Sequence, residues 1–274
     1  MNNKQKYLFD LQGFLVVEDV LSDAQCDLAT DKIKQRMKPM EKTPNGYASN
    51  GTWHSAANLW EVGDPFINLI DHPKVVDVLG EIIAPQLRCE SSYSFVRYKD
   101  CPVFEMHGGN RGGRVNFRYD ARNGQIFTGL TVVSYNLHDV AQQDGGFSCI
   151  PGSHKADFKL TAEEREELFA FGGPLVQSVP APRGAAVIFT ETLAHGAGSW
   201  QRDDVPRYGL FYKYNDRAAI YHEQGSRRPS DAALAMMTDE QRCYFNTAWQ
   251  AFGPDGRNRN DAPEFGEPAT EAAG

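Results

Sequence analysis

QIFTGLTVVSYNLHDV, residues 125–140, is dense in β-branched and aromatic side chains and reads as extended chain. Leu87 to Tyr98 has the same character upstream. Downstream come Phe147–Ile150, closed by the turn Pro151-Gly152-Ser153, and then Leu175–Val179, Ala185–Thr190 and Tyr208–Tyr214. Helices are expected mostly before these strands. Tyr7–Val17 reads as a short helix or turn running into a strand. Ser22-Asp23-Ala24-Gln25 is a capping box opening a helix to about Met37, and Asp71-His72-Pro73 opens another through Ile83. A second capping box, Thr161 to Glu164, starts a charged helix ending near Gly172, and a last helix is expected from Ser230 to about Trp249. Many short strands with turn punctuation, flanked by helices, predict a mainly β protein built as a two-sheet jelly roll. The expected organisation is one domain over residues 1–251 and a polar, flexible tail over 252–274.

Residues 38–60 show no period. They carry the turn signals Pro44-Asn45-Gly46 and Asn50-Gly51, with Trp53, His54 and Trp60 among polar neighbours. A long aromatic-bearing loop of this kind suits a lid over a pocket or a cover for the core.

At 274 residues, 41% hydrophobic and 23% charged, the chain has the composition of a globular protein with a sizeable core. A net charge of −8 argues against a nucleic-acid polymer or an anionic membrane as the main partner. No stretch approaches the ~18 consecutive apolar residues of a membrane-spanning helix, and Met1–Lys6 lacks an apolar leader core. Five cysteines, odd in number and without CxxC spacing, fit reduced thiols better than a disulfide framework. A cytoplasmic location is expected.

The chemistry concentrates at FEMHGGN, residues 104–110, and at TLAH, residues 192–195. His107 opens a Gly-rich turn between strand-like segments, and His195 follows the strand Ala185–Thr190. Arg207 stands twelve residues after His195 at the start of another strand, where its planar fork suits a carboxylate. The segment 97–122 is locally positive: Arg97, Lys99, Arg111, Arg114, Arg118 and Arg122 against Asp100, Glu105 and Asp120. Such a cluster fits an anionic ligand or simply the solvated faces of strands and turns.

DLQGFLVV (10–17), His107, DGGF (144–147), IPGSH (150–154), His195 and Arg207 together resemble the phytanoyl-CoA dioxygenase family of iron(II)/2-oxoglutarate oxygenases. The resemblance covers roughly residues 7–217. It implies a double-stranded β-helix, iron(II) held by His107 and His195, 2-oxoglutarate anchored by Arg207, and dioxygen as oxidant; Ser134, Asn136 and Ser199 are polar candidates for the 2-oxoglutarate or halide pocket. His154 in the turn is taken as structural. The family's pattern places a carboxylate two residues after the first His, completing a facial triad. Here that position is Gly109. Members of the superfamily with Gly or Ala there resemble aliphatic halogenases, in which chloride or bromide takes the vacated position. The resemblance then implies hydrogen abstraction from an unactivated C–H bond by a ferryl oxidant and halide rebound, with Gly109 at the halide.

Two alternatives stay open. A carboxylate from elsewhere, such as Asp120, Asp139 or Asp144, would restore a hydroxylase site, and a relative that has lost catalysis would be a binding protein. The substrate expected is a small, anionic, nucleotide-like molecule met by Trp53, His54, Arg97, Arg111 and Arg114. A carrier-protein substrate is possible and less favoured.

Overall fold

The computed structural model describes residues 1–36, 48–49, 53–109, 116–221 and 228–246. The expected tail at 252–274, and the boundary before it, lie outside the described residues.

The chain is mainly β. Strand β1 (Phe14–Val17) follows helix α1 (Asn3–Gln12), which starts on an Asn2/Gln5 capping box and ends on a left-handed Gly13. Helix α2 (Asp23–Arg36) begins one residue inside the expected box, where Ser22 and Gln25 exchange hydrogen bonds. After β2 (Ala48–Ser49) and β3 (Trp53–Ala57), helix α3 (Pro73–Ile82) opens on its proline as expected. Strands β4 (Leu87–Arg97), β5 (Phe104–His107), β6 (Tyr119–Arg122), β7 (Gln125–Thr128), β8 (Thr131–Asn136) and β9 (Phe147–Cys149) follow. Helix α4 (Ala162–Leu168) then leads to β10 (Gln177–Ser178), β11 (Ala186–Thr190), β12 (His195–Ala197) and β13 (Arg207–Asp216).

These strands form a seven-stranded sheet ordered β1-β11-β8-β13-β4-β3-β2, a four-stranded sheet ordered β10-β9-β12-β5, and the hairpin β6-β7. Every pairing is antiparallel. Period-two alternation gives the large sheet two buried faces. Val133, Tyr135, Ile188, Leu210, Tyr212 and Tyr214 pack with residues of α1, α2 and α3. Val132, Val187, Phe189 and Phe211 point the other way and meet Phe147, Cys149 and Leu193 on the side of the small sheet. Arg207 and Lys213 share the parity of Phe211 on β13, so they belong to the face between the sheets.

The expected single strand 125–140 divides at Gly129-Leu130. The amide N–H groups of these two residues donate to Arg118 and Asn116 carbonyls, so β7 leaves for the hairpin while β8 enters the centre of the large sheet. The expected C-terminal helix is two short ones, Asp231–Met236 and Asp239–Cys243, because Thr238 and Gln241 form a fresh capping box. Of the segment 38–60, expected as a lid or a cover for the core, residues 38–47 and 50–52 lie outside the described residues. Residues 53–57 are a strand paired with β4, and Trp60 is fully buried, edge-on to Phe245. Trp60 is a core residue.

Candidate metal centre

His107 ends β5 and His195 begins β12, and the two are direct cross-strand partners. Their ring centroids lie 4.1 Å apart. The ring Nδ1 of His195 lies 2.7 Å from the Leu193 carbonyl, and that of His107 lies 3.0 Å from the Glu105 carbonyl. Each Nδ1–H therefore donates to the backbone two residues upstream. That leaves both Nε2 atoms as free acceptors, the tautomer a metal ligand needs.

A third group completes the cluster. Glu191, in the turn after β11, brings a carboxylate oxygen within 4.8 Å of a ring nitrogen of each histidine. Its Oε2 lies 3.9 Å from Nε2 of His195, and its Oε1 accepts a charged hydrogen bond from Lys213 on β13. Glu191 is held at the backbone too, where its N–H donates to the Leu130 carbonyl. Burial would raise its carboxyl pKa, but Lys213 and the two histidines hold it below the ordinary value. Lys213, half-buried, stays charged against Tyr93 and Glu191, which raise its pKa more than desolvation lowers it. Burial pushes His195 down to about 4 against the pull of Glu191, so its ring is neutral at physiological pH. Two imidazoles and one carboxylate form the donor set suited to a divalent first-row metal.

The sequence pattern puts the third ligand, or its absence, at position 109, whereas among the described residues the acid that joins the two histidines is Glu191. Gly109 has φ +67°, and a Cβ there would lie 3.3 Å from the Phe169 ring and 3.4 Å from the Ala194 methyl. Those two groups are the nearest neighbours of such a Cβ among the described residues, at or just inside ordinary packing distance. The three acids weighed as substitutes are engaged elsewhere. Asp144 accepts from the Ala141 N–H, Asp139 accepts from the Arg183 N–H, and Asp120 pairs with Arg122 on the exposed hairpin. The available signal for Glu191 was a Glu-x-x-x-His spacing directly after a strand.

Arg207 is buried, and among the described residues no acceptor meets its Nε. Burial and the adjacent Arg97 push its pKa down to about 9, which leaves it charged at neutral pH. A charged guanidinium buried without an acid calls for an anion. Ser134, on the same face of the large sheet, also has a buried hydroxyl without a partner. Arg97 is committed differently: its guanidinium donates to the Gly198 carbonyl at 2.9 Å and to the Pro102 carbonyl. It braces the loops after β12 and before β5, away from the role of a free substrate contact. Arg111 and Arg114 lie outside the described residues. Trp53 and His54 are placed only by backbone, opposite Arg97 and Val96. His154 stacks edge-on against Tyr119 and meets the Asp10 carbonyl, apart from the metal cluster.

Similar solved structures share this fold. HygX from Streptomyces hygroscopicus, solved with nickel and 2-oxoglutarate, has a TM-score of 0.70 at 22% identity over 81% of this chain and 90% of its own. HygX has also been solved with hygromycin B bound. SnoN, the non-haem α-ketoglutarate-dependent epimerase of nogalamycin biosynthesis, has a TM-score of 0.60 at 18% identity over 80% and 85%. AviO1 from Streptomyces viridochromogenes Tue57 has a TM-score of 0.60 at 17% identity over 80% and 97%. No curated protein matches the sequence. The phytanoyl-CoA dioxygenase (PhyH) profile matches residues 9–207, most of the chain and all three members of the cluster, and the chain belongs to that family.

Proposed function

We propose that this protein is an iron(II)- and 2-oxoglutarate-dependent oxygenase that oxidises a C–H bond of a small molecule. The carrying observation is the convergence of His107, Glu191 and His195, a two-histidine, one-carboxylate set in which the carboxylate comes from beside the second histidine. The two packed sheets are taken as the double-stranded β-helix of such enzymes, with the metal at the β5–β12 pairing. Arg207, charged, buried and without an acid among the described residues, is the anchor for the distal carboxylate of 2-oxoglutarate, and Ser134 is a further donor.

Iron(II) held there would supply reduction of dioxygen coupled to oxidative decarboxylation of the 2-oxo acid and oxidation of the substrate. The chain's own contribution is positional. Leu193 and Glu105 carbonyls fix the imidazole tautomers. Lys213 fixes one carboxylate oxygen, and Phe147 and Phe189 pack around His195 to exclude water. The substrate is a small molecule in this proposal, in line with the hygromycin B bound by HygX. With Arg97 committed to the backbone, a preference for an anionic, nucleotide-like compound now rests on Arg111 and Arg114.

Halogenation is the second reading, and one observation favours it. Lys213 already neutralises Glu191, so a carboxylate that stayed with Lys213 when metal binds would leave a position for chloride or bromide. Anaerobic titration with iron(II), 2-oxoglutarate and then chloride separates the two. The expected result is a visible charge-transfer band that appears with 2-oxoglutarate and ignores chloride, and that is lost in Glu191→Ala. A band that shifts with chloride and survives Glu191→Ala would replace oxygenation by halogenation. No band in the wild type would leave neither.

A further inference from the structure

We infer that Lys213 is a positioning residue that restricts Glu191 to a single metal bond. The inference rests on the proposed metal site. A free carboxylate can offer a cation both oxygens, and a bidentate Glu191 would take a coordination position that the co-substrate needs. Here the two oxygens have different partners before any metal arrives: Oε2 faces His195 at 3.9 Å, and Oε1 is held by Lys213. The ammonium is held in turn. Lys213 lies on the inner face of β13, the central strand bonded to both β8 and β4, with its nitrogen 6.0 Å from the centroid of the Tyr93 ring. Tyr93 is itself stacked on Phe211 at 5.0 Å. Glu191 is tethered from behind by its N–H bond to Leu130. The carboxylate is thus pinned at its backbone and at one oxygen, with the other oxygen left toward the histidines. Partners behind a ligand commonly govern metal affinity by ~10- to 100-fold.

Cobalt(II), a coloured stand-in for iron, reads coordination directly through its visible absorption and needs no turnover. Lys213→Met frees the second oxygen. The expected result is a changed cobalt spectrum of lower intensity, as coordination number rises. Lys213→Gln keeps an N–H donor without the charge and is expected to return the spectrum toward wild type. That rescue separates positioning from charge or general packing. An unchanged spectrum in Lys213→Met would overturn the inference. Should that variant not fold, a crystal structure of the cobalt-loaded wild type decides. One Glu191 oxygen on cobalt and the other on Lys213 supports positioning; both oxygens on cobalt refutes it. Wild-type cobalt affinity in Glu191→Ala would instead show that Glu191 is not a ligand, which removes the proposed site rather than the role of Lys213 alone.

Discussion

Glu191 is held by two bonds at once, a backbone N–H bond to Leu130 and an ion pair with Lys213, and leaves its other carboxylate oxygen 3.9 Å from Nε2 of His195. A buried carboxylate of this kind is costly unless charge surrounds it, and the structure supplies Lys213 on one side while leaving a cation's place on the other. Gly109 shows the opposite economy. It adopts φ +67°, a conformation that costs a non-glycine residue roughly 1–2 kcal/mol, and a Cβ there would meet the Phe169 ring at 3.3 Å and the Ala194 methyl at 3.4 Å. Gly109→Asp is therefore expected to lower stability by about 1 kcal/mol and, on the proposal that Glu191 is the third ligand, to leave cobalt affinity within a few-fold of wild type. A marked gain in affinity, measured by calorimetric titration, would return position 109 to the metal and revive the family's ordinary ligand order. The histidines were legible from sequence because each sits beside a Gly-rich or strand-ending signal. Glu191 was not, because attention went to spacing after the first histidine, whereas the turn joining β11 to β12 sets the spacing before the second.

At the scale of elements, the site depends on the pairing of two very short strands. β5 and β12 bring the histidines opposite one another, and the register slips between His195 and Ala197. Gly196 occupies that irregularity. A Cβ there would come within 2.5 Å of the Phe104 carbonyl oxygen and 3.1 Å of the Glu105 carbonyl oxygen, and the latter accepts from His107. Gly196→Ala must push β5 outward, breaking the bond that sets the His107 tautomer. The expected outcome is at least tenfold weaker cobalt binding, in the range seen when partners behind a ligand are lost, with the fold retained by circular dichroism. Unchanged affinity would mean that β5 is free to move without carrying His107 away. Long strands and capped helices were readable because Val, Ile and aromatic runs and Ser/Thr-x-x-Glu/Gln boxes act locally. β5, β12 and β3 were not, since FEMH, HGA and WHSAA carry no period and exist as strands only through their neighbours.

At the scale of the whole molecule, burial of histidines ties stability to pH. His138 and His154 are both pushed down to about 4, first by burial, then by Arg207 and Arg202 for His138 and by Lys155 for His154. In the unfolded chain each titrates near ~6.5. Between those values the unfolded state binds a proton that the folded state refuses, so stability is full above pH ~6.5 and falls as pH drops toward 4. Each imidazole contributes a slope of up to about 1.4 kcal/mol per pH unit across that window, on the order of 3 kcal/mol in all. Glu191, with its lowered pKa, acts in the same direction at the acid end. His154 gives the cleanest test, because it lies outside the metal cluster and joins the turn after β9 to α1 through Asp10 and to the β6–β7 hairpin through Tyr119. Denaturant unfolding of the metal-free protein at intervals from pH 7.5 to 4.5 should show stability falling with acid. His154→Gln keeps an N–H donor for the Asp10 carbonyl and removes the titration. It is expected to flatten that fall by about one proton's worth, roughly 1.4 kcal/mol per pH unit. A variant with the wild-type slope would place the acid sensitivity in His138, His195 and the carboxylates instead of in the turn that joins β9 to α1.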